Sequence, residues 1–416
     1  MKRRDFLRGA GAAGFAVGLF PRLPPIRLAA PWLLVPMDEA QTDHLKAYGV
    51  AYRLLERGGR GEWFLNYRGG SFLLPSDGET ARDAALAGVR VEALDDGRLI
   101  EIRGQLQQAN MDAIPLEKPP KVAVYAPPNA QPWDDAVTMA LRYAGIRFDK
   151  VWDPDVLSQG LNKCDWLHLH HEDFTGQYSK FFLNYAGAPW LADMVAQNTR
   201  MAGALGFPTV PAEKRAVARA IREFVDRGGF LFAMCTATET LDLALASEHV
   251  DIAASYADGN PMDPGAASKM DWSQALAFQD ATLELSPMIP EFSDIDGHQV
   301  NSDRRQPLGA FKLFNFSAKI DPVATMLVQN HRDVIPDFYG VTTSFTRRTL
   351  KPSDTVLADE PGADWVKYIH GERGQGTWTF YGGHDPEDPQ HQIGDPATDL
   401  TLYPHSPGYR LILNNV

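Results

Sequence analysis

The sequence predicts an α/β protein, in which a doubly wound parallel sheet follows a smaller N-terminal α/β domain. From residue 121 to about 246, short apolar segments alternate with helical ones, and strands joined by helices form parallel sheets. Residues 230–235 are apolar without a break, as in a strand that is covered on both faces. The length of 416 residues exceeds one ordinary core and favours two domains.

The smaller domain is predicted to span residues 31–118. An apolar segment at 32–37 predicts a strand, and residues 38–55 carry apolar side chains at helical spacing. Further short strands and a helix follow. Residues 110–120 are polar and contain proline, which predicts a linker to the next domain.

The larger domain is predicted to span residues 119–416. Its strands and helices are expected in the order strand 121–126, helix 133–144, strand 149–152, helix 153–159, strand 165–170, helix 212–227, strand 230–235 and helix 236–245. Loops rich in Asp, Ser and Pro break this pattern at 246–351 and predict an irregular insertion. Regular structure is predicted again at 365–370 and 377–381, with a closing helix from Ser406.

The N-terminus predicts an export signal over residues 1–30. It begins Met1-Lys2-Arg3-Arg4-Asp5-Phe6-Leu7-Arg8, with the paired arginines and following apolar residues of a twin-arginine signal. Residues 9–20 are uncharged and rich in Gly and Ala. This run is shorter than the ~20 apolar residues that a membrane span requires. The expected location is therefore the periplasm, or export by the twin-arginine route.

Charge and composition narrow the range of partners. The net charge of −13, with no stripe of Lys and Arg, disfavours nucleic acid. No second apolar run reaches membrane length, so no span beyond the signal is expected. The expected partner is a small-molecule substrate or ligand, and the oligomeric state is left open. Cys164 and Cys235 fall at opposite edges of the predicted parallel sheet, which argues against a disulfide.

Cys235 stands where the buried strand 230–235 turns directly into a helix. Such an elbow exposes a nucleophile at the carboxyl edge of a sheet and needs small neighbours, here Ala233 and Ala237. The helix N-terminus lowers a thiol pKa, and its N–H groups can stabilise an oxyanion. These features favour Cys235 as a catalytic nucleophile. The alternative is an inert, buried cysteine.

The elbow resembles that of the class I glutamine amidotransferase-like superfamily, whose pattern is Gly-x-Cys-x-Gly. Alanines occupy both glycine positions here. The resemblance implies a flavodoxin-like fold for 119–416 and a catalytic triad, which would be Cys235, His384 and Glu387. The position of the acid differs from the family pattern, in which the Glu lies two residues after the His, whereas Glu387 lies three residues after His384. The alternative acid is Asp385, directly after His384.

The segment Gly383-His384-Asp385-Pro386 also resembles the ThuA-like branch of the same superfamily. Members of that branch need not carry the cysteine. This resemblance therefore implies an alternative function, the binding of a carbohydrate or another small ligand without catalysis.

A run of imidazoles and carboxylates forms a second group of candidate site residues. His168 and His170 share one face of a predicted strand, and His171, Glu172 and Asp173 follow in the next loop. Open α/β sheets bind ligands at this carboxyl edge. We expect His170, His171 and Glu172 to contact substrate. No cofactor is predicted; the alternative is a divalent metal, with His168, His170 and Asp173 as weaker candidate ligands.

The N-terminal block at 36–49, with 66–72, resembles a group of exported bacterial proteins named asparagine synthetase B. Arg68 in this block is a candidate to bind an acidic ligand. Synthetases of that name use Cys as residue two and a Ser-Gly-Gly-x-Asp-Ser loop for ATP, whereas this chain has Lys2 and no such loop. Synthesis is therefore the disfavoured alternative. The predicted function is that of an exported Cys-dependent hydrolase or amidase acting on C–N bonds.

Overall fold

A computed structural model describes residues 30–127, 135–286, 289–298, 308–390 and 395–416. The predicted export signal lies outside these residues, apart from residue 30. The protein is of the predicted α/β class, and it contains one five-stranded and one ten-stranded sheet. Among the described helices, none is long and apolar enough to cross a bilayer.

The N-terminal sheet is antiparallel and has the order β4-β1-β3-β2-β5. Its strands are β1 (Trp32–Val35), β2 (Gly61–Leu65), β3 (Ser71–Pro75), β4 (Glu92–Leu94) and β5 (Asp112–Leu116), and its helices are α1 (His44–Glu56), α2 (Gly78–Ala87) and α3 (Asp96–Gln108). The predicted linker is wrong at β5, which pairs with β2 as an edge strand. An edge tolerates Pro115, the residue that suggested a linker. Helix α1 begins later than predicted because Asp43 caps it, accepting a hydrogen bond from Lys46 N at 2.9 Å.

The large sheet contains five parallel strands in the order β7-β6-β8-β9-β15, which is the flavodoxin-like order 2-1-3-4-5. These strands are β6 (Val122–Tyr125), β7 (Phe148–Val151), β8 (Trp166–Leu169), β9 (Phe230–Met234) and β15 (Gly376–Tyr381). The helices of this part of the chain are α4 (Ala136–Ala144), α5 (Asp153–Leu157), α6 (Phe182–Tyr185), α7 (Pro189–Ala204), α8 (Val210–Asp226) and α9 (Thr236–Ala246).

Strand β9 is covered on both faces, as its uninterrupted apolar sequence predicts. Phe232 and Met234 belong to the core on one side of the sheet, and Leu231 and Ala233 to the core on the other. Successive side chains of a strand point to opposite faces, so both faces of β9 must be apolar.

The region 246–351 is less irregular than predicted, because parts of it extend the large sheet. Its elements are α10 (Ser255–Asp258), β10 (Ala310–Leu313), α11 (Pro322–Leu327), β11 (Val334–Pro336) and β12 (Phe345–Thr346), followed in the chain by β13 (Thr355–Asp359), β14 (Trp365–Arg373) and, after β15, α12 (Pro407–Leu413). Strands β14, β13, β10 and β11 continue the sheet antiparallel from β15, and β12 pairs with β14. Strands of two to four residues carry too little periodicity to be recognised in a sequence.

The two sheet regions share one core. Leu45 and Tyr48 of α1 belong to the same apolar cluster as Ala140 and Leu141 of α4. Asn66 and Gln329 add a polar contact across the junction, since Asn66 N donates to Gln329 Oε1 at 2.7 Å. At the carboxyl edge of the parallel sheet, where β8, β9 and β15 end, the chain continues into His170, Cys235 and His384.

Candidate active site

Cys235 occupies a sharp elbow between β9 and α9. Its backbone angles are φ 52° and ψ −139°, in a region that non-glycine residues rarely adopt and that nucleophile elbows use. Ala233 and Ala237 are fully buried on either side, as close approach of strand and helix requires. The structure therefore gives Cys235 the local geometry that its sequence pattern suggested.

The Cys235 thiol is buried and is contacted by a neighbouring loop. Val341 N donates a hydrogen bond to Sγ at 3.4 Å, and Thr236 Oγ1 lies 3.8 Å from it. Burial raises the pKa of Cys235, and these donors offset the rise only in part. At the helix N-terminus, Ala237 N is already bonded to the His170 carbonyl at 2.9 Å. That N–H is therefore not available to an oxyanion, whereas the elbow hypothesis assigns this role to the N–H of the residue directly after the nucleophile, Thr236.

Two imidazoles lie beside the thiol. Cys235 Sγ, one ring nitrogen of His170 and one of His384 all lie within 4.8 Å of one another. The ring centroids of His170 and His384 are 4.6 Å apart, and the His171 ring lies 5.1 Å from that of His384. Strand order explains the meeting: His170, Cys235 and His384 follow β8, β9 and β15, which are neighbouring parallel strands.

Asp135 is a site residue that sequence reasoning missed. Its carboxylate lies 3.2 Å from His168 Nε2 and 3.4 Å from His170 Nδ1. It also caps α4, accepting from Thr138 N at 2.8 Å. Burial alone would raise the pKa of Asp135, but the two imidazoles outweigh this and hold the pKa well below its usual range. The available signal was an acidic cap directly before the helix that follows β6.

The carboxylates after β8 have two separate roles. Glu172 Oε2 accepts a hydrogen bond from His170 N at 3.0 Å, and burial raises the pKa of Glu172 to about 7. Asp173 accepts N–H groups of its own loop, from Thr175 at 2.8 Å and Ser179 at 2.8 Å. Asp173 therefore shapes the loop, and the carboxylate that joins His168 and His170 is Asp135 instead.

The acids after His384 hydrogen-bond to other groups. Asp385 accepts from Thr398 Oγ1 at 2.7 Å and from Glu387 N at 2.9 Å. Burial raises the pKa of Glu387, while a hydrogen bond with Ser406 opposes the rise. Within the part of the chain that the structure describes, Asp135 contacts one imidazole of this group, that of His170. A triad with Glu387 as its third member stays a prediction.

Arg68 lies in the N-terminal sheet region, where two carboxylates already pair with it. Its guanidinium is 2.7 Å from Asp38 and 2.7 Å from Glu92. The structure does not include Arg68 in the group around Cys235. A role in binding an acidic ligand would require that ligand to displace carboxylates that are already in place.

Lys367 on β14 is a second residue that the sequence did not reveal. Its buried ammonium pairs with Asp337 and donates to Phe338 O at 2.7 Å and Thr343 O at 2.9 Å. These bonds hold the loop from which Val341 reaches the thiol. Gly382 allows this loop to pass, because a Cβ there would lie 2.4 Å from Thr343 O.

Two overlapping sets of side chains have the donor atoms of a metal site. One is His170, Cys235 and His384; the other is Asp135, His168 and His170. Imidazole and thiolate suit zinc and similar ions rather than magnesium or calcium.

Fold and site together define an α/β protein with a buried cysteine–histidine elbow at the carboxyl edge of a flavodoxin-like sheet. No family model matches the chain, and no curated protein matches it. Among solved structures, a cytoplasmic protein from Salmonella typhimurium is similar at 12% identity and a TM-score of 0.33, covering 71% of this chain and 96% of its own.

Two further structures have comparable similarity. A protein from Thermoplasma acidophilum, provisionally described as a GMP synthase component, shares 10% identity at a TM-score of 0.33 and covers 71% of this chain and 92% of its own. A second cytoplasmic protein from Salmonella typhimurium LT2 shares 11% identity at a TM-score of 0.30, covering 66% and 91%. At these scores the similarities identify neither an activity nor a substrate.

Proposed function

We propose that the protein is a cysteine-dependent hydrolase that cleaves an acyl bond, such as the C–N bond of an amide, with Cys235 as nucleophile and His384 as general base. One observation carries the proposal: Cys235 has the strained backbone of a nucleophile elbow, with Sγ within 4.8 Å of a ring nitrogen of His384. An inert cysteine has no need of a positive φ at a strand end, because such strain costs about 1–3 kcal/mol.

The reaction follows from the state of the thiol. Since burial raises the pKa of Cys235, the resting group is a thiol, and attack requires a base to accept its proton. Sγ then adds to the substrate carbonyl, His384 takes the proton and returns it to the leaving amine, and a thioester forms. Water hydrolyses the thioester with His384 again as base, which restores the thiol.

The surrounding residues suggest a polar substrate. His171 and Glu172 are partly exposed next to the buried His170, and the Glu172 pKa of about 7 allows its carboxyl group to donate or accept a hydrogen bond near neutral pH. His170, held by Asp135, would orient the substrate or the second imidazole.

The test uses p-nitrophenyl acetate as a generic acyl donor. We expect a burst of p-nitrophenolate close to one equivalent, with an acetyl group on Cys235 detected by mass spectrometry. Cys235→Ala should lose both. Cys164→Ala is the matched control and should keep both, because Cys164 lies half-buried at the opposite edge of the sheet with a pKa raised by burial to about 11. Acetylation that persists elsewhere in the Cys235→Ala variant would overturn the proposal.

A second candidate function is ligand binding without catalysis, as in the ThuA-like alternative. The observation in its favour is that the Cys235 side chain is only 2% exposed. Under this alternative, the wild-type protein shows no burst, and Cys235 is acetylated no faster than Cys164.

We also propose export by the twin-arginine route, which the Arg3-Arg4 pair and the short apolar run after it support. Fusing residues 1–40 to a reporter that requires this route should export the reporter. Replacing Arg3 and Arg4 by Lys should abolish export, and unaltered export in that variant would contradict the proposal.

A further inference from the structure

Cys235 and its two imidazoles form a set of donors that suits a soft metal ion. We propose that His170, Cys235 and His384 bind a thiophilic divalent cation such as Zn²⁺, and that the bound cation blocks the nucleophilic thiol. The binding is independent of the proposed function, whereas the inhibition rests on it.

The distances between the donors suit a tetrahedral ion. One donor atom from each residue lies within 4.8 Å of the other two. Zinc with Zn–S near 2.3 Å and Zn–N near 2.0 Å places its ligand atoms roughly 3.5 Å apart. Closing the set onto an ion therefore needs shifts of about 1 Å or less, within the reach of side-chain rotation. Two imidazoles and a thiolate select zinc-like ions over hard cations.

Asp135 supplies the support that metal-binding histidines normally have. Its carboxylate lies 3.4 Å from His170 Nδ1, which leaves Nε2 as the ring nitrogen for an ion. His170 is fully buried, and its Nε2 has no hydrogen-bond partner among the described residues, while Nδ1 has the Asp135 carboxylate at 3.4 Å as a charge contact without hydrogen-bond geometry. A carboxylate behind an imidazole fixes the tautomer and increases its basicity as a ligand. Burying such a nitrogen without a partner is otherwise costly.

The two other clusters of this kind suit an ion less well. In the set of Asp135, His168 and His170, the Asp135 carboxylate already bonds to His168 and to the N-terminus of α4. In the set of His298, Asp337 and Glu360, Asp337 is paired with the Lys367 ammonium, whose charge repels a cation. Cys235 is also the only one of these ligands with a thiolate to offer.

A bound ion would change the chemistry of the elbow. Three protein ligands leave a fourth position for water, as in open zinc sites. Zinc would hold Cys235 as a thiolate but occupy the sulfur lone pair needed for attack, and it would occupy the His384 nitrogen that acts as base. The metal-bound form is therefore inactive toward acyl donors, and removing the ion restores activity.

The experiment titrates the full chain, first freed of metal with EDTA, with Co²⁺ as a spectroscopic probe. We expect one equivalent of Co²⁺ to produce a thiolate-to-cobalt charge-transfer band, which one equivalent of Zn²⁺ abolishes by displacement. Cys235→Ser should lose the band. Asp135→Asn should keep the band and weaken Zn²⁺ binding by about 10–100-fold. Cys164→Ser, the matched control, should behave as the wild type. Circular dichroism of each variant checks folding.

The outcomes separate this proposal from the proposed function. A charge-transfer band in a protein that shows no acyl burst supports the metal site and contradicts the hydrolase. A burst that Zn²⁺ leaves unchanged, without a band, overturns the metal site and supports the hydrolase. A band that persists in Cys235→Ser overturns the ligand assignment.

Discussion

Among the described residues, two clusters of histidines lie around at least one buried imidazole, and a different charge approaches each cluster. The edge cluster, His168, His170 and His384, lies at the carboxyl edge of the parallel sheet beside Asp135. The junction cluster, His44, His331 and His405, lies between the N-terminal sheet region and α12, where Arg410 approaches it. The same residue type therefore faces a carboxylate in one region and a guanidinium in the other.

The junction cluster is packed as closely as the edge cluster. The rings of His44 and His331 stack with centroids 4.0 Å apart, and Nδ1 of His44 lies 3.0 Å from Nδ1 of His405. Arg410 is fully buried and donates to Met37 O at 2.9 Å and to the Gly69 carbonyl. It thus bonds α12 to two loops of the N-terminal sheet region.

The two charges have opposite effects on the imidazoles. Burial first, and then the positive charge of Arg410, lowers the pKa of His44 to about 2 and that of His331 to about 3. Burial also lowers the pKa of His170, but there Asp135 opposes the effect. His44 and His331 are therefore kept neutral, and they serve packing. Only the edge cluster has a neighbour that stabilises a proton or a cation, which is the property that catalysis and metal binding require.

The largest expected effect is on the rate at which Cys235 is acetylated, when a histidine of each cluster is replaced in turn. His384→Gln should slow acetylation of Cys235 by p-nitrophenyl acetate about 10²–10⁴-fold, because the thiol loses its base. The same change in the other cluster, His331→Gln, should leave the rate within about twofold. Stopped-flow absorbance measures both. Equal losses in the two variants would contradict the division of roles.

The second-largest expected effect is the loss of stability when Arg410 is replaced. Arg410→Met keeps much of the side-chain volume but removes the guanidinium donor from the Gly69 carbonyl and from the Met37 carbonyl, which keeps His44 Nε2 at 3.2 Å. We expect the free energy of unfolding in urea to fall by about 2–4 kcal/mol. Arg98→Met is the control, since Arg98 is exposed and pairs with the neighbouring Glu101, and it should change stability little. A loss in Arg410→Met no larger than in the control would show that the buried cation does not join the two regions.

A pH series tests the neutral state of the junction cluster. The folded pKa of His44 is about 2, below the 6.5 of the unfolded chain, so the unfolded state binds the proton first as pH falls. His44 therefore contributes stability above pH 6.5 that is lost toward pH 3, by up to ~1.4 kcal/mol per pH unit. His44→Gln should lack this component, and urea unfolding at pH 7, 6 and 5 measures the difference in slope. Parallel slopes for the wild type and the variant would contradict it.

The smallest expected effect concerns Glu239, near the edge cluster, whose contribution to stability changes with pH in the direction opposite to that of His44. Glu239 on α9 is buried and accepts from Ser293 Oγ at 2.6 Å and Thr342 Oγ1 at 3.0 Å; burial raises its pKa to about 7. The folded state holds this proton more tightly than the unfolded one. Its contribution to stability is thus present below pH 4.5 and lost as pH rises through 7. Glu239→Gln should cost less than about 1 kcal/mol at pH 5 and should stabilise the protein relative to the wild type above pH 8, as urea unfolding at the two pH values measures.

Much of the edge cluster could be anticipated from the chain. His170, Cys235 and His384 each follow an apolar segment that becomes a parallel strand, and parallel strands end at one edge. Asp135 could not be assigned in the same way, because an acidic residue before a helix is first of all a cap. The triad acid, Glu387 or alternatively Asp385, stays a prediction, and the Asp385 carboxylate accepts hydrogen bonds from Thr398 and from Glu387 N.

Local patterns in the chain establish the α/β class, the doubly buried strand β9 and the elbow at Cys235, because periodicity and small-residue spacing act over a few positions. They do not establish which charge faces each imidazole. His44 and His405 are in contact although 361 positions separate them in the sequence, and no residue near either of them in the sequence indicates that Arg410 will lie close by. Packing over such separations selects the neighbours, and the electrostatics of a buried group depend on those neighbours more than on its own identity. Tertiary structure thus brings a carboxylate to one histidine cluster and a guanidinium to the other.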